Sequence, residues 1–220
     1  DQSIESLYAR DDPHFSEYAT SKALFGGDEF AIIAWREAGL FQPDSVDVSD
    51  RSRERIEALA ARLADVPGVY AESVQHASGA LAFPYKRERV AELIRGVLTG
   101  TDNETTAIVV RLKPEDESSV SRGTTIANIR KIAAAHDPPA FVVGEPVQIH
   151  DMFRYVEEDG RVLFHVSLVL LAAVLMVLFR SLRWVLLPLV IVVLTIRFTE
   201  ALLVLSGTKL SMVSSMLNSL

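Results

Sequence analysis

Two charged residues, Arg197 and Glu200, interrupt a long apolar stretch near the end of the chain. They are three residues apart, so a helix would place them on the same face. A charge inside a membrane-spanning helix is costly and usually faces protein or a water-filled path, and a mutual ion pair would lower that cost. The pair is therefore a candidate for intramembrane coupling. The alternative is that both side chains extend to water at the membrane surface.

No other residues have the spacing of a catalytic or metal site. The five histidines occur at no metal-ligand spacing, and the chain contains no glycine-rich phosphate loop and no Gly-x-Ser-x-Gly turn. The absence of cysteine excludes disulfides and thiolate metal sites. We interpret the acidic residues 115–117 as a solvated turn, with cation binding as the alternative, and His165 as a ring that reaches the interface. We expect no enzyme activity, no catalytic residue, no metal and no cofactor.

The charged pair lies in the second of two apolar runs. Eighteen residues separate Arg161 from Arg180, and only two of them are polar, close to the roughly 20 that a helix needs to cross a bilayer. The second run covers residues 184–205, and a third begins at 210. Because lipid offers the backbone no hydrogen-bond partner, we predict helices over 161–180 and 184–205. Their short link predicts an antiparallel transmembrane hairpin.

The positive charges predict the orientation of this hairpin. Arg180 and Arg183 lie in the link, whereas the other end of the first span has Arg161 beside the acidic residues 157–159. Short loops rich in lysine and arginine stay in the cytoplasm. Arg180 and Arg183 are thus the topology-setting residues. We predict a multi-pass protein of the inner (plasma) membrane with residues 1–160 on the periplasmic or extracytoplasmic side.

The overall charge also divides the chain at residue 160. The whole chain has 22 basic and 29 acidic residues. Residues 1–160 carry 28 of the acidic and 17 of the basic ones, whereas residues 161–220 are basic and mostly apolar. An acidic domain repels phosphates, so we exclude nucleic acid as a partner. Since the sequence has no export signal at its start and ends within an apolar stretch, we expect an internal part of a longer polytopic protein.

Residues 1–160 show a mixed α/β pattern after an irregular lead-in over residues 1–28. Residues rich in β-branched and aromatic types alternate with segments of helical periodicity. The pattern predicts two strand-helix-strand units, hence an α+β domain of ferredoxin-like (βαβ repeated) type. We predict strands at 29–35, 69–75, 105–112 and 140–144, and helices at 53–65, 86–99 and 120–135.

The helix predicted at 86–99 is additional to that fold. It carries an apolar stripe, which consists of Val90, Leu93, Ile94 and Val97. One interpretation is that the apolar stripe packs on its own sheet. The other is that it borders a path for an apolar ligand or a neighbouring subunit.

A further helix is predicted at 147–158, directly before the first span. Gly160 separates the two, so we expect a nearly continuous helical connection in place of a slack linker. Glycine loosens a helix without breaking it, which makes Gly160 a candidate hinge. The alternative is that Gly160 only marks the boundary between water and lipid.

Four short motifs in this order resemble the RND transporter superfamily, in particular its MMPL-like and hopanoid-exporter-like branch, with Patched and the sterol-sensing proteins as distant relatives. The motifs are FGGDEF at 25–30, VPGV at 66–69, GEP at 144–146 and FRSLR at 179–183. The resemblance covers nearly the whole chain, as a first extracytoplasmic porter-type domain, the second and third spans and the start of the fourth. The charged residues near 195–200 depart from the family pattern.

The resemblance implies a proton-driven secondary transporter that exports lipids or other hydrophobic compounds, with the exterior domain as gate and conduit. The proton-relay residue of such families lies in the fourth span, which we expect largely beyond this sequence. The implied partners are membrane lipid and a hydrophobic small-molecule or lipid substrate, and a homo-oligomer is a further candidate. The alternative function is a Patched-like or sterol-sensing membrane receptor whose exterior domain binds a ligand. A membrane-anchored enzyme lacks any candidate site.

Overall fold

The computed structural model describes residues 14, 16–18, 20, 21, 29–82, 86–115 and 117–205, without the side chains of residues 200, 203 and 204. Most of the lead-in and the span expected from 210 lie outside these residues. The chain forms two compact units. The α+β unit is Phe25–His150, and the apolar unit comprises Asp1–Leu24 and Asp151–Leu220.

The α+β unit contains a four-stranded sheet in the order β2-β3-β1-β4. All three neighbouring strand pairs are antiparallel, with Ile33 of β1 opposite Ile108 of β3 and Val142 of β4. The side chains of β1 alternate between buried and more exposed because successive residues of a strand point to opposite faces. The strands are β1 (Phe30–Arg36), β2 (Gln75–His76), β3 (Thr105–Arg111) and β4 (Phe141–Val143).

Two helices contribute seven buried hydrophobic residues to the core of the α+β unit. These are α1 (Asp50–Ala64), with Ser49 as its N-cap, and α4 (Arg122–Ala134), with Ser121 as its N-cap. Each serine side chain accepts a hydrogen bond from a backbone N–H of the first turn. The buried residues of the two helices join Ala31, Ile33 and Trp35 of β1 in one hydrophobic core. Two shorter helices, α2 (Ala77–Ala80) and α3 (Arg87–Ile94), lie between β2 and β3 in sequence.

The strand prediction for 69–75 was largely wrong. Regular pairing is restricted to Gln75 and His76, Val69 makes only an isolated bridge, and residues Ala71–Ser73 form a 3₁₀ turn. The Ser73 hydroxyl accepts the N–H of Arg111 at 2.9 Å and donates to the carbonyl of Tyr70 at 2.6 Å. This local side-chain bonding replaces the backbone ladder that a strand would have formed.

The helix prediction for 86–99 was correct only for its first part. Helix α3 ends at Ile94, and Gly96 takes a left-handed backbone angle of +84° that glycine adopts at little cost. The chain then turns so that Gly96 N–H donates to the carbonyl of Thr99 at 2.6 Å, and Thr99 bridges to Thr106 of β3. Residues 95–99 therefore border the sheet and do not continue the helix.

Two long helices end the described chain. Helix α5 (Glu145–Phe179) is an unbroken element of 35 residues that combines the predicted helix at 147–158 with the predicted first span. Helix α6 (Leu182–Leu205) has 24 residues and contains Pro188. Arg180 and Ser181 separate the two helices, and Arg180 has a left-handed φ of 48° that ends α5.

Candidate functional site

Helix α6 carries the charged pair predicted from the sequence. Arg197 and Glu200 both lie inside α6, and the apolar residues 201–205 follow them in the same helix. The backbone places the two residues three positions apart on one helix. The Glu200 side chain lies outside the described atoms, so the ion pair stays a prediction. Both charges lie in the second half of α6.

Two threonines flank Arg197 on the same helix. The hydroxyl of Thr195 donates to the carbonyl of Ile191 at 2.8 Å, and that of Thr199 donates to the carbonyl of Thr195 at 2.9 Å. Each hydroxyl is thus satisfied inside its own helix, a common way for threonine to be accommodated in an apolar helix. The polar character of residues 195–199 therefore centres on the guanidinium of Arg197.

Arg180 lies at the junction of α5 and α6, whereas Arg183, which was predicted to lie in the link, is the second residue of α6. Arg180 N–H donates to the carbonyl of Met176 at 2.9 Å, and Val185 N–H donates to the carbonyl of Ser181 at 3.3 Å. One helix therefore ends and the next begins within two residues. Both arginine side chains are exposed, and the exposed ring of Trp184 follows them.

Gly160 lies inside α5, and the helix continues through it without a break. Glu157 and Arg161 form an ion pair of 3.1 Å across the glycine, four residues apart along one face. One turn later the His165 Nδ1 lies 2.6 Å from the carbonyl oxygen of Arg161. The described helix is regular on both sides of the glycine, and the hinge role of Gly160 stays a prediction.

The start of α5 is built into the core of the α+β unit. Val147 is buried in the hydrophobic core, and Pro146 is buried beside it in sequence. The ring of His150 lies against Gly123 of α4, where a Cβ would come within 2.9 Å of the His150 Cε1. These contacts fix the first turns of the same helix that later becomes the apolar segment.

The apolar stripe does not form one continuous surface. Ile94 is buried and Val90 packs against the core, whereas Leu93 is 78% exposed and Val97 is 62% exposed. Val97 also lies beyond the end of α3. The prediction of a single helical stripe was therefore wrong, because the helix ends at Ile94. Half of its members belong to the core, and Leu93 and Val97 remain as exposed apolar side chains.

Sequence reasoning missed a buried polar network around Glu37, which is only 1% exposed. The carboxylate accepts from the indole N–H of Trp35 at 2.8 Å and from the hydroxyl of Ser52 at 3.3 Å. Arg55 of α1 lies 3.3 Å from the same carboxylate. The signal available in the sequence was that Glu37 follows a strand and lies two residues after Trp35 of that strand. The network joins the end of β1 to the first turns of α1.

The acidic residues near 115–117 take part in surface contacts in the part of this run that the structure describes. The hydroxyl of Tyr70 donates to Glu117, which raises the pKa of Tyr70. Glu115 accepts the backbone N–H of Arg122 at 3.4 Å. Among all described residues, no group of three or more His, Cys, Asp or Glu side chains could hold a metal ion. These contacts agree with a solvated turn that supports the start of α4.

The two long helices have the length and composition of membrane spans. Each of the two helices contains a stretch of 18 residues that is strongly apolar and holds at most two charged side chains. Almost none of these apolar side chains is buried within the protein. Large exposed apolar surfaces mark sites that contact other apolar material, and two helices of this length and composition are candidate membrane spans.

Comparison with known proteins supports the same interpretation. The model of the MMPL family matches residues 39–220, which covers most of the chain and includes both the α+β unit and the two apolar helices. No curated protein and no solved structure shows a significant match. The resemblance inferred from the four motifs is thereby confirmed. The chain belongs to the MMPL family, whose members are membrane-integral RND-type transporters and not enzymes.

Proposed function

We propose that this chain is part of a proton-driven exporter that moves lipids or other hydrophobic compounds, with the α+β unit as the gate or conduit for substrate. The observation that carries the proposal is helix α5. It begins with Val147 in the hydrophobic core of the α+β unit and continues unbroken through the apolar segment that ends at Phe179. A movement of the α+β unit can therefore be transmitted along this helix to the apolar segment.

The α+β unit suits a porter-type role. Helix α1 lies between β1 and β2 in sequence, and α4 lies between β3 and β4. With the antiparallel order β2-β3-β1-β4, these connections support a ferredoxin-like arrangement of two βαβ units. The exposed Leu93 and Val97 are the remaining candidates from the apolar stripe for contact with a hydrophobic substrate.

The proposed orientation follows from charge. Arg180 and Arg183 are exposed at the short junction, which favours the cytoplasmic side for this loop. Helices α5 and α6 would then form an antiparallel hairpin in the inner (plasma) membrane, with residues 1–160 on the periplasmic or extracytoplasmic face. Membrane lipid is the surrounding partner, and a homo-oligomer of the transporter is compatible with this placement.

Coupling to protons is the remaining part of the proposal. Arg197 and Glu200 are the candidate coupling pair in this chain, because a guanidinium and a carboxylate three residues apart can stabilise each other within an apolar helix. Substitution of Glu200 by Gln removes the charge and keeps the shape. Under the proposal, this variant exports more slowly than the parent, whereas an ordinary interfacial anchor tolerates it.

Export can be tested in cells that produce the complete natural protein that contains this sequence. The cells are loaded with a lipophilic fluorescent compound, and its loss is followed with and without a protonophore. We expect faster loss than in cells without the protein, and we expect the protonophore to abolish the difference. Specific binding of the compound with no protein-dependent loss would instead favour the receptor function of the Patched-like alternative.

A further inference from the structure

His136 packs against the buried tryptophan of the α+β unit. The ring centroids of Trp35 and His136 are 4.9 Å apart, and the ring planes are nearly perpendicular at 87°. The Nε2 atom of His136 is buried and has no hydrogen-bond partner among the described residues. Burial without a partner is unusual for an imidazole nitrogen, because buried polar atoms are nearly always hydrogen-bonded.

The groups around this ring carry charges of both signs. Arg55 and Arg62 of α1 repel a positive charge on His136, whereas Glu37 after β1 and Asp137 in the same turn attract it. Glu37 is already occupied, since its two oxygens accept from Trp35 and Ser52 and the carboxylate forms an ion pair with Arg55. Glu37 therefore offers little additional capacity to a protonated imidazole.

The position of His136 in the chain gives its contact a structural consequence. The residue lies in the turn between α4 and β4, which is closed by a bond of 3.0 Å from Ala140 N–H to the carbonyl of Ala133. Strand β4 pairs with β1, and α5 begins directly after Gly144. The turn thus connects a core helix to the edge strand that leads into α5.

We propose that His136 is an acid-sensitive latch of the α+β unit: the neutral imidazole holds the α4–β4 turn against Trp35, and its protonation releases the turn. This role is separate from the export activity proposed above. It would make the docking of residues 135–140 depend on the pH of the compartment that the α+β unit faces.

The chemistry of the site explains the direction of the effect. Whichever tautomer the neutral ring takes, an imidazolium carries an N–H on the buried and unpartnered Nε2 and a positive charge that Arg55 and Arg62 repel. Burial, and after it the charge of Arg55, lowers the pKa of His136. Because the pKa is lower in the docked state, the stabilisation is fully present above the ordinary histidine pKa of about 6.5 and is lost as pH falls through the lower, docked value.

Tryptophan fluorescence can report on this latch. The chain has two tryptophans, so a Trp184→Phe variant leaves Trp35 as the sole reporter in this chain. In the complete protein, any tryptophan outside this chain is also replaced by phenylalanine. The protein is titrated in detergent micelles from pH 8 to pH 4. We expect the Trp35 emission to change with a midpoint below about 6.5, because the adjacent ring gains a proton and then departs. The change should be absent in the additional His136→Gln variant.

His76→Gln is the matched control, because His76 is also a partly buried histidine of the α+β unit whose pKa is lowered by burial. Its Nδ1 bonds locally with Ser78 at 2.8 Å and accepts the Gly79 N–H at 3.1 Å, so the Trp35 titration should persist. A titration that persists unchanged in His136→Gln, or a pH-independent Trp35 emission in the parent, would overturn the latch.

Hydrogen exchange provides a second readout that needs no substitution at His136. The protection of the amides in residues 136 and 140, corrected for intrinsic exchange rates, is compared at several pH values in the parent protein. Between the ordinary and the docked pKa, one proton is linked to release, so protection should fall by about tenfold per pH unit. Equal protection throughout this interval would contradict the latch even if the glutamine variant failed to fold.

Discussion

Gly144 lies against the backbone of Phe30 so closely that a Cβ on Gly144 would come within 2.3 Å of the Phe30 carbonyl oxygen. Gly144 also has a φ of +135°, which other residues rarely adopt. This glycine ends β4 and precedes α5, so its close approach to β1 sets where the long helix leaves the sheet. The contact explains physically why a glycine begins the GEP motif.

Replacing Gly144 by alanine should destabilise the α+β unit. The methyl group must displace the backbone of β1, and the unfavourable φ alone costs about 1–3 kcal/mol. The midpoint of thermal unfolding, followed by Trp35 emission in the Trp184→Phe background, measures the effect. Gly39→Ala is the control, since Gly39 also has a left-handed φ of +74° but a Cβ on it would meet no atom within 4 Å. Equal midpoints for the two variants would disprove the steric role of Gly144.

Glu37→Ala should be one of the most destabilising substitutions in the α+β unit. It leaves the Trp35 indole N–H and the Arg55 guanidinium without their carboxylate. Breaking a buried ion pair by removing one partner costs about 3–5 kcal/mol, and we expect the lower end because Arg55 is partly exposed. The same unfolding measurement gives the difference in stability between variant and parent.

Glu104→Ala serves as the control for Glu37→Ala. Glu104 pairs with Arg36 at the surface, where both side chains are well exposed. Exposed pairs contribute little to stability, so this variant should unfold close to the parent. If both variants lost the same stability, the buried network would not be a specific stabiliser.

Periodicity predicted the regular core elements well, and local side-chain chemistry explains where it failed. The alternation of Ala31, Ile33 and Trp35 and the helical spacing in α1 and α4 correspond to buried faces. Ser73 and Gly96 explain why the strand at 69–75 and the helix at 86–99 were only partly correct. The Ser73 hydroxyl bonds to β3, and Gly96 adopts a left-handed backbone angle. Such effects depend on a neighbouring strand that a single local pattern does not contain.

The same distinction between local and long-range features applies to the candidate site. The two apolar helices were predicted because long apolar runs are visible in the sequence itself. The roles of Arg180, Arg183 and Arg197 stay predictions. The Glu37 network was missed since its partners Ser52 and Arg55 come from a different element. The contact between Trp35 and His136 joins residues about a hundred positions apart, and no local spacing indicates it.

Labelling of single cysteines should place residues 1–160 and the junction of α5 and α6 on opposite sides of the membrane. This chain contains no native cysteine. A cysteine introduced by Ser119→Cys, at an exposed position of the α+β unit, should react with a membrane-impermeant maleimide in intact cells. One introduced by Ser181→Cys should react only after permeabilisation, and the reverse pattern would invert the proposed topology.

Gly160→Ala should slow export while leaving folding and membrane insertion intact. Alanine favours a helix by about 1 kcal/mol over glycine, so it stiffens α5 between the α+β unit and the apolar segment. Ser167→Ala is a control that also places alanine in α5, but beyond the proposed hinge. Export by Gly160→Ala at the parent rate, at equal protein levels, would leave Gly160 as a boundary residue only.

Transport by the purified, complete protein tests the central claim most directly. The protein is reconstituted into liposomes that contain a lipophilic fluorescent substrate, and substrate movement is measured with and without an imposed pH gradient. The account predicts substrate movement that requires both the protein and the gradient and that stops when a protonophore collapses the gradient. Substrate binding without gradient-dependent movement, in liposomes shown to hold correctly inserted protein and an intact gradient, would contradict it.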